Sequence, residues 1–584
     1  MKMALFDEIN VFFAQGRFFP ATNRGGSAKS CGGNAKGLSY EISKILKLLL
    51  ANLPAGRQES SFAQKTLVSI GFFLWYRKVY RCLLTTENRR KLFLKAILLL
   101  AILLTGFITA NAQEEYVQAP AAIQISSTAS EGKLSIPEII GICRKNNIKI
   151  VMLADRDFMR WEYGLWPLER IIKKTEESNS LSTYGISRYF KEIEGLRNKN
   201  RDLVIIPGVE SAPFYYWQGN PFGRDFKIID WHKHILVFGL EKVSDYNKLP
   251  SVSNELALMR TYSYKDIFLF WPLLIFILGV LCLHKRQFDY QDARGRQLGR
   301  YSKKWAISGA CLMFIAVIFL LNNFPFRSFK YDQYHGQQGV MPYQDLINYA
   351  NQKGGLAFWA HPEAENIQKI GRVGIETREH TADLLKSFDY TGFAVFYEGY
   401  KKIGLPGGLW DELLKQYCRG QRNSPVWAIG GLSFDQTGDL DKSLKDLRTV
   451  LLMPELSKDA ALTALKLGKM YVLRGSNSSQ FVLDSFNATD NGNGPEKVMG
   501  ETLCAPQQSA AIHIKGHFLN GQSKPCKIKL IKNGNIVDVF EINTPFNFSY
   551  IDKDIYRNGK SYYRIEAVSD GLQLITNPIF MSVD

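Results

Sequence analysis

The chain has 584 residues, of which 46% are hydrophobic, and a formal net charge of +18 at pH 7. That length suits two or three domains and the apolar content permits full cores. The excess charge sits in two blocks: residues 1–95 hold 16 Lys and Arg against 5 Asp and Glu, and residues 284–305 hold 7 against 2. Basic blocks beside apolar runs speak for membrane orientation and exclude a nucleic-acid groove as the source of the charge.

Residues 1–88 read as a poorly structured extension, with small polar residues clustered in GGSAKSCGGNAKG. The apolar run 67–76 is too short to span a bilayer. Residues 89–113 carry Arg89-Arg90-Lys91, an apolar core from Ala96 to Ile108, and the ending Ala110-Asn111-Ala112. That layout is expected of a signal peptide or a retained signal anchor. Either way the basic flank leaves residue 113 onward outside the cytoplasm.

From Ile123 onward seven short apolar runs are expected as strands: 123–126, 148–154, 203–207, 234–240, 356–360, 393–397 and 426–430. They show little polar alternation, as parallel strands covered on both faces do. Helical patterns between them complete an α/β barrel over 121–250 and 327–475. The barrel is interrupted at 266–323 by two apolar runs, 267–283 and 306–321, each just long enough to span. Their basic connection predicts a transmembrane hairpin with a cytoplasmic loop.

Ser457 to Gly468 has the caps of a helix. From 479 to 584 short strands and turns predict a β-sandwich, with Asn533-Gly534 marking a tight hairpin. The eight cysteines have no C-x-x-C spacing, which speaks against a structural zinc site. Cys504 and Cys526 share the C-terminal domain, and either a disulfide or two buried thiols is open to them.

The organising stretch is residues 121–157, AAIQISSTASEGKLSIPEIIGICRKNNIKIVMLADRD. It reads as strand, small-residue turn, helix capped at Ser135 with Pro137 in its first turn, and second strand. The turn TASEG and the spacing to Asp155-Arg156-Asp157 resemble the start of the polymerase and histidinol phosphatase (PHP) metallohydrolases. The segments PGVE, AHPE, YYRIEA and NPIF extend the resemblance, toward a carbaryl-hydrolase-like branch, over residues 121–584. The resemblance implies a distorted seven-stranded barrel with a metal centre at the carboxyl ends of its strands.

Carried over position by position, it implies Glu210, His234 and His361 as metal ligands. It also implies five substituted ligand positions: Gln124, Ser126, Arg156, Ser433 and Asp435. A permanent guanidinium repels metal, and Gln and Ser are weak neutral donors, so the usual ion cluster is excluded. Two expectations remain. In one, His₂Glu holds one divalent ion, zinc or manganese, with Asp435 or Asp157 as general base for ester hydrolysis. In the other, no metal binds, Arg156 pairs with Glu210, Asp157 or Asp435, and the barrel recognises a ligand or partner at the cell envelope. The aromatic group Tyr215, Tyr216, Trp217 and Trp231 is expected either to stack a ligand or to rest on the bilayer interface.

Overall fold

A computed structural model describes residues 116–254, 256–257, 264–291, 294–295, 297–323, 330–505, 509–553 and 559–583. All belong to one compact unit, Gln113–Asp584. The extension expected over 1–88 and the signal segment over 89–113 lie outside the described residues.

The unit is a mixed α/β structure built on large sheets. Its first strand, β1 (Val117–Ile125), is followed by α1 (Ile136–Lys145) and by β2 (Ile150–Leu153). The Glu138 carboxylate accepts the Ser135 amide at 2.8 Å and its hydroxyl at 2.6 Å, fixing the start of α1. β2 runs parallel to β1 with Ile123 opposite Met152, and Val204–Ile206 pairs parallel to β2. The second strand continues as Asp155–Arg156, parallel to Gly208–Ser211, with Arg156 beside Glu210.

The fourth strand departs from the expected all-parallel order. Ile235–Phe238 pairs antiparallel to Gly208–Ser211 on one side and to Leu356–Trp359 on the other. Parallel pairing then resumes through Gly392–Phe396 and Trp427–Phe434, which returns to β1. The reversal has a simple cause. The connection from Ser211 to Ile235 is taken up by a small aromatic-rich sheet on the same rim, so the chain re-enters from the end at which it left.

The core inside this ring is aliphatic and aromatic: Ile123, Val151, Ile206, Val237, Phe358, Phe393 and Ile429 are each at most 1% exposed. Complete burial of each such side chain contributes roughly 1.5–3 kcal/mol, which is why these short runs hold their places. A satellite cluster lies beside it, formed by Tyr215, Trp217, Phe226, Ile228, Trp231 and Ile375. Trp217 stacks on Phe226 with centroids 4.6 Å apart, and its indole donates to the Glu162 carbonyl at 2.8 Å. Tyr215, Trp217 and Trp231 are therefore core side chains, which overturns both the ligand-stacking and the interface expectations for them.

The insertion holds a 3-10 turn (Tyr264–Phe270), a helix (Pro272–Leu283), a ribbon of two strands (Arg286–Gln291 and Gln297–Tyr301) and a second helix (Lys303–Asn323). The two helices pack closely where Gly279 faces Gly309: a Cβ on Gly279 would stand 2.8 Å from the Gly309 carbonyl oxygen. Their outer faces show Leu274, Leu281, Ile307, Phe314 and Leu321, all more than half exposed. Lys303–Asn323 is long and apolar enough to cross a membrane, and Ile267–Leu283 is a shorter apolar helical stretch.

The C-terminal strands form two sheets around a second core that includes Leu483, Phe486, Ile512, Ile528, Ile565 and Leu574. The hairpin at Asn533-Gly534 uses positive φ at both residues, 50° and 81°, and joins Pro525–Lys532 to Asn535–Asn543. Cys504 is exposed and Cys526 buried, and both are free thiols, so neither the disulfide nor the pair of buried thiols is found.

This region is hydrogen-bonded into the first. The residues of β1 from Val117 to Ala121 pair with Leu447–Met453, that strand pairs with Met470–Arg474, and Met470–Arg474 pairs with Leu572–Thr576. A buried ion pair pins the same boundary. Arg564, 0% exposed, donates to both oxygens of Asp411 at 2.9 and 2.7 Å and to Glu566 at 2.9 Å. Its guanidinium also lies 4.8 Å from the Trp410 ring centroid. Truncating one member leaves an uncompensated charge in the interior. Arg564→Ala should destabilise the protein by about 3–5 kcal/mol, read from its chemical denaturation midpoint; an unchanged midpoint would refute this role.

Candidate functional site

The reversed fourth strand explains how three residues far apart in sequence meet. Glu210 ends the third strand and pairs across to Leu236, while Ile235 stands opposite both Ser211 and Trp359. Because Ile235–Phe238 runs backwards, His234, just before it, reaches the same rim as Glu210. His361, two residues beyond Trp359, arrives from the other side.

The donor atoms converge. The Oε1 of Glu210 lies 2.9 Å from His234 Nδ1 and 3.3 Å from His361 Nε2, and the two ring nitrogens are 3.1 Å apart. Around a tetrahedral zinc with bonds near 2.0–2.1 Å, adjacent donors would lie roughly 3.3 Å apart. The triad therefore has the spacing of one small ion.

That position has a competitor supplied by the chain. Arg156 Nη1 lies 2.7 Å from Glu210 Oε1 and 2.6 Å from His234 Nδ1, and Arg156 Nε lies 2.5 Å from Glu131 Oε1. Gln124 donates to the other Glu210 oxygen at 3.1 Å. The guanidinium thus takes the electron pair on His234 Nδ1 and sets its positive charge beside Glu210 Oε1, where an ion would sit. Nor does His361 have the supporting partner that usually orients a metal-binding imidazole, for its buried Nδ1 makes no hydrogen bond. Glu210, His234 and His361 could hold one ion; the buried Oε1 of Glu210 accepts no hydrogen bond, and Arg156 is the group that competes for the position.

Electrostatics agree with this geometry. Burial works against the charge of Glu210, yet Arg156 and the two imidazoles hold its carboxyl well below the usual carboxylate range. Burial and then Arg156 keep the His234 imidazole well below its ordinary value, so it stays neutral. Burial opposes the charge on Arg156 too, but Glu210 and Glu131 raise its pKa further. A carboxylate and a guanidinium compensate each other where either alone would be prohibitive.

The other expected residues separate into two groups. Gln124 joins the cluster, at a positive φ of 68° that interrupts β1. Asp435, half-buried, acts on Arg156 by charge, while its Oδ1 accepts the Thr437 amide at 3.0 Å. Ser126 turns away, its hydroxyl 3.2 Å from the Ala154 carbonyl oxygen, and Ser433 is exposed. Asp157 is 1% exposed, with Oδ1 accepting the Phe158 amide at 2.8 Å and Oδ2 unpartnered.

Three supporting residues escaped the sequence reading. Glu131, inside the TASEG turn, is the second partner of Arg156; an exposed-looking turn acid gives no hint of that. Asp155 accepts from the Ser127 amide at 2.7 Å and from the Ser130 hydroxyl at 2.7 Å, tying this turn to the second strand. Glu363 of AHPE accepts the amides of Lys401, Lys402 and Ile403 at 2.9, 2.7 and 2.8 Å and so fixes the loop carrying His361.

No family model matches the chain, and no curated protein matches it. Among solved structures it is similar to a two-domain protein from Bacteroides vulgatus containing a predicted PHP-like metal-dependent phosphoesterase. The identity is 11%, the TM-score 0.31, and the alignment covers 78% of this chain and 96% of that one. A candidate metal-dependent phosphoesterase from Bifidobacterium adolescentis aligns at 13% identity and TM-score 0.23, over 55% of this chain and 88% of that one. An amidohydrolase from Chromobacterium violaceum, with bound sulfate and no metal, aligns at 12% identity and TM-score 0.22, over 55% and 89%.

The buried Asp157 generates a pH prediction. Burial pushes its carboxyl up to about 7, above the ordinary value near 3.9 of an unfolded chain. The folded state therefore holds this proton more tightly, and stability should fall as pH rises from about 4 through about 7. Asp157→Asn should flatten that fall and stabilise the protein by a few kcal/mol near pH 8, measured as unfolding midpoint against pH. An identical pH profile in the variant would refute this assignment.

Proposed function

We propose that this chain is a membrane-tethered, PHP-like α/β barrel in which a multinuclear hydrolase centre is reduced to one cation position, filled at rest by Arg156. On this reading the barrel is a recognition module at the cell envelope. One observation carries it: a guanidinium nitrogen 2.7 Å from Glu210 and 2.6 Å from His234. The PHP-like assignment itself rests on the TASEG, PGVE and AHPE motifs and on three retained ligand types at one rim. We take the ring of seven strands as a barrel and the C-terminal sheets as a β-sandwich.

The second reading, single-metal ester hydrolysis, is favoured by the 2.9–3.3 Å donor spacing of Glu210, His234 and His361. An ion held there would supply a Lewis acid toward an ester oxygen. Asp435, already near Arg156, is better placed as a base than the enclosed Asp157. The two readings part on whether Arg156 yields.

Titrating the detergent-solubilised, metal-stripped protein with zinc or manganese decides between them. The wild type should take up no stoichiometric ion, whereas Arg156→Ala should bind one, and adding His361→Ala should abolish it. Stoichiometric uptake by the wild type, accompanied by hydrolysis of an aryl phosphoester, would replace the first reading with the second.

The membrane part of the proposal rests on the exposed apolar helix pair and on the basic segment that joins it. Positive segments stay cytoplasmic, so residues 284–305 should face inward and the barrel and C-terminal sheets outward. Protease added to intact spheroplasts should cut the barrel and spare the 284–305 segment. The reverse pattern would refute the orientation.

A further inference from the structure

A cavity of about 630 Å³ opens where the α/β region meets the C-terminal sheets, and none of Glu210, His234, His361 and Arg156 lines it. Its apolar wall includes Val450, Leu473 and Phe481, and its polar wall includes Ser476, Ser479 and Asn147. Three cations line it, Arg448, Lys145 and Lys445, and no Asp or Glu does.

Arg448 is the unusual member. It is 6% exposed, and its Nε makes no hydrogen bond. One N–H, on Nη2, reaches the Leu444 carbonyl oxygen at 2.8 Å. A guanidinium has five N–H donors, and a neutral carbonyl offsets little of a buried charge. Among the described residues no carboxylate forms an ion pair with Arg448. This contrasts with Arg564, still more enclosed, which has both Asp411 and Glu566. The two rim lysines share a single acid, Asp441, at 3.4 Å from Lys145 and 2.5 Å from Lys445.

We propose that this cavity is a binding site for a small organic oxyanion, a carboxylate or phosphate carrying an apolar body, with Arg448 as its principal partner. The size suits a ligand of that kind. A charge-assisted hydrogen bond from Arg448 would supply the missing counter-charge, Lys145 and Lys445 would steer the anion in, and Phe481 and Leu473 would cover its apolar part. The site is separate from the cation position at Glu210 and stands whether or not metal binds there.

The test uses the full-length protein in detergent and phenylphosphonate, an oxyanion with an apolar ring and no hydrolysable bond, followed by calorimetry at low salt. Saturable binding at one site is expected. Arg448→Gln should weaken it about tenfold or more, and the exposed-site double variant Lys145→Gln/Lys445→Gln should weaken it less and reduce its salt dependence. His361→Ala should leave it unchanged, which distinguishes this cavity from the Glu210 position. Should Arg448→Gln not fold, the lysine double variant decides. No saturable binding by the wild type at millimolar phenylphosphonate, or full affinity in both variants, would overturn the proposal. Inorganic phosphate binding as tightly as phenylphosphonate would overturn the apolar-body part of it.

Discussion

A carboxylate enclosed by protein demands a cation, and the rim of this α/β unit is arranged around that demand at Glu210. The side chain is 3% exposed, so water cannot supply the missing solvation. Everything gathered there answers the same need: Arg156 with its charge, His361 with a ring nitrogen, Gln124 with its amide. Glu131 then neutralises the excess that Arg156 brings. Remove the carboxylate and these groups have no common reason to converge.

The same demand explains how the rim stays ordered around Arg156. An arginine on the second strand lies opposite Glu210 in register, so its guanidinium needs no loop rearrangement to reach the carboxylate. The cation is thereby part of the chain. An ion pair of this kind gives little net stability over an apolar replacement. What it does fix is which rotamers the surrounding side chains adopt.

The sequence displayed the strands well, because short apolar runs bounded by turns have few alternatives. It displayed Glu210, His234 and His361 through their motifs. It could not display that the fourth strand runs backwards, since the apolar run 234–240 is the same read in either direction. Nor could it separate a stacking platform from a small aromatic core: Tyr215 and Trp217 look alike in both until Phe226 and Ile375 are seen against them. Arg448 was invisible for a third reason. The cavity it lines is completed by Phe481 and Leu519, supplied by a region that composition marks as a separate domain.

The ladder from Leu572–Thr576 through Met470–Arg474 and Leu447–Met453 reaches β1, whose far end carries Gln124 against Glu210. Such a continuous backbone weave behaves as a stiff lever rather than a hinge. A tilt imposed on the C-terminal sheets is handed along hydrogen bonds, not absorbed in a linker, and it arrives at the side chain that grips the buried acid. Two regions that composition would cut apart are, mechanically, a single beam.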